Sequence, residues 1–225
     1  MARPHSHGMS ALAVPIVILF LAAGCSSAPG PASSSGNGPS AATGAGADAG
    51  SVAAASTVLK AVHLADPASL AALQGVRLTA AGTQAAADLL KAGASGDVLW
   101  AATYVYGSAS GDPAPLKPIA TDPNATATIR AMAAAGLVGG GDVAGFDPLI
   151  AALSGTDRMD GAEPAGAVWE FAADVLQRYT KQGFGPLLTA TDAERITIAA
   201  EWKTWLDANR AKLHFDATTQ LWAAA

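Results

Sequence analysis

The residue types on which most enzymatic chemistry depends are scarce in this sequence. Cys25 is the single cysteine among 225 residues, and after residue 24 histidine occurs only at His63 and His214. A zinc site built from Cys and His therefore lacks ligands, and no Ser stands in the Gly-x-Ser-x-Gly setting of a hydrolase nucleophile. His214 could act as a base, but a lone histidine is more often structural. We therefore predict no catalytic residue, no metal and no cofactor.

Three carboxylates in one loop, Asp157, Asp160 and Glu163, are the best candidates for metal ligands. They lack the alternating oxygen ligands and the distant bidentate Glu of an EF-hand. The simpler interpretation is a solvated loop in which Glu163 caps the following helix. The glycine run at 139–141 is similar to a phosphate-binding loop, but it follows a predicted helix rather than a strand. We therefore interpret this run as a turn.

Aromatic side chains are the other candidates, because they anchor many binding interfaces. Of the five tryptophans, Trp202 and Trp205 have a spacing that favours packing in a helical core. Trp100 and Trp169 occupy similar positions in successive predicted helices, as expected of residues that face one concave surface. We predict Trp100, Tyr104 and Trp169 as partner-binding residues. Packing in the core is the alternative, since aromatic residues are common there too.

The first 25 residues have the pattern of an export signal. A polar segment with Arg3 precedes an uncharged apolar run of 13 residues at positions 11–23, shorter than the about 20 residues of a membrane-spanning helix. The run ends in Ala22-Ala23-Gly24-Cys25, which resembles the lipobox of bacterial lipoproteins. This resemblance implies cleavage before Cys25 and a diacylglycerol on its thiol, which would explain a lone cysteine in an exported chain. The alternatives are an ordinary signal peptide with an incidental cysteine and an uncleaved short anchor.

Composition divides the rest of the chain into a tether and a domain. Residues 25–56 are mostly Ser, Gly, Ala and Pro with one charged residue, Asp48. Such a segment buries too little apolar surface to offset its ordering entropy. We predict a signal peptide over 1–24, a disordered tether over 25–56 and a folded domain over 57–225. The domain is long enough to fold without disulfides or metals.

Helical periodicity runs through the predicted domain. Apolar residues recur at three- and four-residue spacing in three segments, 129–137, 168–179 and 198–206. The pairs Asp66-Pro67 and Asp147-Pro148 are typical of helix starts, and Thr191 with Glu194 predicts a capping box. No segment shows sustained strand alternation. The sequence therefore predicts an all-α fold.

Short apolar helices, each followed by an Ala-rich helix, open at successive spacings of 27, 33 and 38 residues, in the range of helical-pair repeats. The clearest unit covers residues 122–153. Its run Ile129-Arg130-x-x-Ala133-Ala134-x-Gly136-Leu137 resembles the inner helix of the HEAT-repeat family. This resemblance implies a short α-α superhelix of about three to four HEAT-like helical pairs, each covering the exposed face of the next.

Charge and architecture narrow the predicted function. Without residues 1–24 the formal charge of −5 becomes −6, and Lys and Arg are scattered singly, so we expect no nucleic-acid partner. The predicted function is a non-catalytic interaction module that binds a protein or peptide partner. Lipidated Cys25 would hold it on the extracytoplasmic face of the cell membrane. A small-ligand binder, and an enzyme or enzyme subunit acting on envelope material, are the alternatives.

Overall fold

The computed structural model describes residues 47–109, 112–161, 166–185 and 189–224, and the predicted signal segment and Cys25 lie outside this part. The described residues are mostly helical, which confirms the predicted all-α fold. The helices are α1 (Ala49–Lys60), α2 (Pro67–Val76), α3 (Ala80–Lys91), α4 (Gly96–Ala109), α5 (Lys117–Ala120), α6 (Ala127–Gly139), α7 (Phe146–Ala152), α8 (Val168–Thr180) and α9 (Asp192–Asn209). Two strands, β1 (Leu213–Asp216) and β2 (Leu221–Ala224), follow them. None of the described helices combines the length and the apolar character needed to cross a membrane.

Side-chain caps determine where several helices begin. The Asp66 carboxylate accepts hydrogen bonds from the first backbone N–H groups of α2, and Pro67 is the first residue of that helix, as predicted. At the start of α9, Glu194 N–H donates to the Thr191 hydroxyl while the Glu194 carboxylate accepts from Thr191 N–H at 2.7 Å. The predicted capping box is therefore present.

The predicted cap at Asp147 is wrong. Helix α7 begins at Phe146, two residues before the predicted first residue Pro148, because the chain enters it directly from the 3₁₀ turn Val143–Gly145. That turn has its own cap, Asp142, whose Oδ1 accepts from Ala144 N–H at 3.0 Å. Asp147 is left on the surface, where it pairs with Arg210 at 2.8 Å.

Helix α6 lies at the centre of the fold and packs against α4, α5, α7 and α8. Nearly every residue from Thr128 to Val138 is buried, and most of them are small. Small side chains let helices approach closely: a Cβ added to Gly136 would lie 2.8 Å from Gly107 Cα in α4. This contact fixes the position of α4, which carries two of the three aromatic residues predicted to bind a partner.

The folded domain begins earlier than predicted. Residues 49–56, expected as the end of the disordered tether, belong to α1. The Asp48 carboxylate accepts from Ser51 N–H at 2.9 Å and caps this helix, and Ala supplies high helix propensity. Ala55 and Leu59 are buried in the core, and α1 packs against α3. Tertiary packing therefore orders a segment whose composition is typical of a linker.

The hairpin of β1 and β2 is the element that the sequence prediction missed. Its two strands pair antiparallel, and the buried Trp222 donates from Nε1 to Val138 O at the end of α6, at 2.9 Å. The Trp222 ring also meets Phe146 edge-on, with 5.3 Å between centroids. Trp202 is completely buried and packs edge-on against Trp205, as its helical spacing predicts.

Candidate functional site

Two of the predicted binding residues, Trp100 and Tyr104, form a stacked pair on α4. They are four residues apart, which places both rings on the same face of the helix. Their centroids are 5.3 Å apart, and the ring planes differ by 22°. Trp100 is 4% exposed and Tyr104 is 2% exposed. The pair is therefore part of the packed structure, and its exposed edge is small.

Helix α2 faces this pair and holds the polar end of Tyr104. Arg77 Nη1 and Gln74 Nε2 both donate to the Tyr104 hydroxyl, the latter at 3.3 Å. The Arg77 guanidinium carbon also lies 5.2 Å from the centre of the Tyr104 ring, in the range of a cation–π contact. These contacts fix the rotamer of Tyr104 and set the spacing between α2 and α4.

A groove lies between α2 and α4, and we call it the α2–α4 groove. Its inner compartment has a volume of about 260 Å³ and is lined by Pro67, Leu70, Ala71, Leu73, Gln74, Trp100, Tyr104 and Gly161. Its outer compartment, of about 790 Å³, is lined by Leu64, Ala65, Pro67, Leu70, Gly96, Asp97, Trp100, Thr126, Ile129, Met159, Asp160 and Gly161. Pro67, Leu70, Trp100 and Gly161 line both compartments, which are therefore adjacent. The lining is mainly apolar, as is usual for ligand sites.

Gly161 brings the loop before α8 against the aromatic pair. Its φ of +76° is a left-handed conformation that favours glycine. A Cβ at this position would lie 2.9 Å from Leu64 Cδ2 and 3.4 Å from Trp100 Cζ2. Cζ2 neighbours the ring carbon that carries Nε1, so the Nε1 edge of the indole lies beside the Gly161 turn.

The Nε1–H of Trp100 is buried and has no hydrogen-bond acceptor among the described residues. A buried donor without a partner costs about 1–3 kcal/mol of stability. Thr103 Oγ1 and Trp202 Nε1 are also unpartnered within the described chain, but both residues are completely buried in the core. Trp100 differs from them because it lines the groove.

Two carboxylates lie at the outer compartment. Asp97 Oδ2 accepts from Leu64 N–H at 3.2 Å, and His63 Nδ1 lies 3.7 Å from the same oxygen. Asp160 Oδ2 accepts from the Thr126 hydroxyl at 2.7 Å. The Asp97 bond joins the loop before α2 to α4, and the Asp160 bond joins residue 160 to the start of α6. None of the described residues that line the groove is Lys or Arg.

Trp169 lies in different surroundings. The Arg195 guanidinium carbon is 4.7 Å from the centre of its ring, and Arg195 donates to Leu153 O and Gly155 O at 3.2 and 3.3 Å. Trp169 thus covers a buried arginine that joins α9 to the end of α7. The structure brings Trp100 and Tyr104 together, and Trp169 is not part of the groove that they line.

The other sequence candidates are dispersed. Asp157 and Asp160 line different cavities, and Glu163 lies outside the described residues. Within the described part of the chain, no three His, Cys, Asp or Glu residues gather as a metal site would require. His63 and His214 are exposed on separate elements.

The glycine run at 139–141 forms the predicted turn after α6. Gly141 has a φ of +82°, and Asp142 N–H donates to Leu137 O at 2.8 Å. This backbone bond satisfies one of the last carbonyls of α6, as a glycine-based helix C-cap does.

Sequence reasoning missed the α2 side of the groove and its floor. Leu70 and Gln74 carry no signal beyond ordinary helix positions. The Asp160-Gly161 dipeptide does predict a tight turn, but not that this turn would contact Trp100. The assembled groove presents a mainly apolar lining and two carboxylates, and the buried donor of Trp100 lies at its wall.

No family model, no curated protein and no solved structure matches this chain.

Proposed function

We propose that this chain is a membrane-tethered, extracytoplasmic interaction module that binds a peptide segment of a partner protein in the α2–α4 groove. The observation that carries the proposal is the stacked pair Trp100 and Tyr104, which lines the groove with a buried, unpartnered donor. Aromatic anchors in desolvated compartments contribute most of the binding energy in many interfaces.

The two compartments support recognition of a peptide. The inner compartment has room for one apolar side chain against Trp100 and Tyr104, and the outer compartment continues over the loop before α8. An extended segment can thus place an anchor residue in the first and its neighbours in the second. Secondary-structure elements hold most of this lining, so the site is preformed and little ordering opposes binding.

The proposed tether follows from the sequence pattern at Cys25. Lipidation there would place 23 residues, 26–48, between the anchor and α1. The groove could then reach partners close to the membrane. We also propose a degenerate HEAT-like architecture, supported by the order in which α3, α4, α6 and α7 pack along the chain.

Site-specific photocrosslinking in cells tests the function. A benzoylphenylalanine at Ala71, an exposed residue that lines the inner compartment, should capture a small number of discrete proteins. The matched control is the same photoreactive residue at Ile196, which is 59% exposed on α9. Cys25→Ser should release the chain from the membrane fraction and remove the products. Identical products from both positions, or none from Ala71, would refute binding in the groove.

A small apolar ligand is the second candidate, because the outer compartment lies within the usual range of about 300–1,000 Å³ for such sites. Native mass spectrometry of the protein purified from its own cells separates the two functions. A bound molecule of a few hundred daltons, displaced in Ala71→Arg, would favour the ligand binder. A chain that carries no bound molecule beyond its covalent lipid, and that still yields the crosslinks, favours the peptide module.

A further inference from the structure

The charged residues that line the outer compartment of the α2–α4 groove are both carboxylates, whereas the Arg77 guanidinium lies behind the groove against Tyr104. Asp97 and Asp160 line its outer compartment, and no described lining residue is cationic. Each carboxylate uses Oδ2 for a bond within the fold, and the side chain of Asp97 is 41% exposed. Their second oxygens are therefore oriented by these bonds but have no described hydrogen-bond partner. Such a rim attracts a cationic ligand and repels an anionic one.

The buried Trp100 donor provides an independent indication. Its Nε1–H calls for an acceptor on the ligand, and the Nε1 edge of the ring lies beside Gly161, which lines both compartments. Acceptors are either anionic, such as carboxylates and phosphates, or neutral, such as peptide carbonyls. The two carboxylates of the rim disfavour the anionic kind. A backbone carbonyl, which every peptide residue carries, satisfies the donor without repulsion.

From these two observations we infer the specificity of the groove, on the basis of the function proposed above. It selects a peptide segment in which Lys or Arg stands close to a large apolar residue. The apolar side chain fills the inner compartment, a backbone carbonyl of the segment accepts from Trp100 Nε1–H, and the cation lies between Asp97 and Asp160. Attraction between the cation and the two carboxylates raises the association rate and the selectivity for the partner more than it raises the affinity.

The test is a selection of random heptapeptides displayed on phage against the full-length protein in detergent micelles. Enriched peptides should contain Lys or Arg within two or three positions of Leu, Phe, Tyr or Trp. The best peptide is then synthesised together with its Lys→Gln or Arg→Gln version, and the dissociation constants are measured by fluorescence anisotropy. We expect the neutral version to bind about five- to ten-fold more weakly, since a charge held near two carboxylates gains about 1 kcal/mol or slightly more.

Matched variants assign this effect to the groove. Asp97→Asn and Asp160→Asn should each weaken the cationic peptide about two- to five-fold and leave its neutral version unchanged. Asp207→Asn, an exposed carboxylate of α9 that pairs with Lys203, is the control and should have no effect. Trp100→Phe keeps a ring but removes the donor, and it should weaken both peptides about two- to ten-fold without lowering thermal stability.

The outcomes separate the inference from the function on which it rests. Enriched peptides without an excess of Lys and Arg, or equal affinities in Asp97→Asn, Asp160→Asn and Asp207→Asn, would overturn the cationic specificity alone. Ala71→Arg places a long cationic side chain at the inner compartment and should abolish enrichment. If the same peptides bind this variant as well as the parent, or if no peptide is enriched on the parent protein, the proposed function itself fails.

Discussion

The contact between α4 and α6 offers a sharp test, because its two glycines, Gly107 and Gly136, are not equivalent. A Cβ on Gly136 of α6 would overlap Leu116 Cδ1 and lie 2.8 Å from Gly107 Cα. A Cβ on Gly107 of α4 would meet only ordinary contacts, the nearest being Met132 O at 3.5 Å. Gly136→Ala and Gly107→Ala thus change the same interface by one methyl group each, and only the first should strain it.

The magnitudes follow from two opposing terms. Replacing Gly by Ala within a helix stabilises it by up to about 1 kcal/mol. Overpacking costs about 1–3 kcal/mol, and Gly136→Ala lies at the upper end because a backbone atom blocks the new methyl group. We expect its free energy of unfolding to fall by about 1–2 kcal/mol, and that of Gly107→Ala to stay equal or rise by up to about 1 kcal/mol.

Thermal unfolding followed by circular dichroism measures both variants under the same conditions. For a domain of this size, 1 kcal/mol corresponds to about 2–4 °C in melting temperature. Gly136→Ala should therefore melt about 2–8 °C below the parent protein, and Gly107→Ala at or slightly above it. Equal melting temperatures for the two variants would refute the close approach of α4 and α6, and with it the stated geometry of the groove.

Two further predictions concern α9. Arg195→Met should lower the free energy of unfolding, measured by urea titration, by about 2 kcal/mol, because it removes a buried cation that donates to two backbone carbonyls. The control is Arg178→Met, which breaks an i,i+4 pair at the surface. It should lower the free energy of unfolding by less than about 0.5 kcal/mol. Bonds from the Thr191 hydroxyl and backbone N–H lower the pKa of Glu194 below its ordinary value of 4.5. Because the folded pKa is the lower one, this stabilisation is complete above pH 4.5 and is lost as the pH falls through the folded pKa. Unfolding midpoints measured between pH 2 and 7 should show a smaller acid-induced loss in Glu194→Gln than in Glu201→Gln, an exposed control on the same helix; equal losses would contradict the assigned cause.

Local signals explain which elements could be predicted from the sequence. The cap at Asp66 and the box at Thr191 act within three residues, and amphipathic spacing located α6, α8 and α9. Helix α1 escaped prediction because its Ala, Ser and Gly composition also suits a linker, and burial of Ala55 and Leu59 in the folded structure distinguishes the two. The hairpin was missed because each strand has four residues, too few to establish a period of two.

The groove could not be predicted from the sequence, because its residues come together only in the tertiary structure. Tyr104 was predicted from its residue type, but its partners Gln74 and Arg77 are 30 and 27 residues away along the chain. Gly161 is farther still from Trp100, and its role depends on a close approach that no local pattern encodes. Trp169 shows that a local pattern can also mislead. Its position in the sequence matches that of Trp100, but its ring contacts Arg195 and does not line the groove.

The unpartnered donor of Trp100 favours the proposed binding groove over a simple packing defect. If Trp100 served only the core, Phe would fill much of the same space without leaving a buried N–H that costs about 1–3 kcal/mol. Trp202 shows that an orphan donor alone is insufficient, since it lies fully buried in the core. At Trp100 the orphan donor coincides with a mainly apolar groove and with two carboxylates, and no described residue that lines the groove is Lys or Arg. The proposed ligand would supply a carbonyl and a positive charge and would remove both deficits at once, so its chemistry can be predicted before its identity.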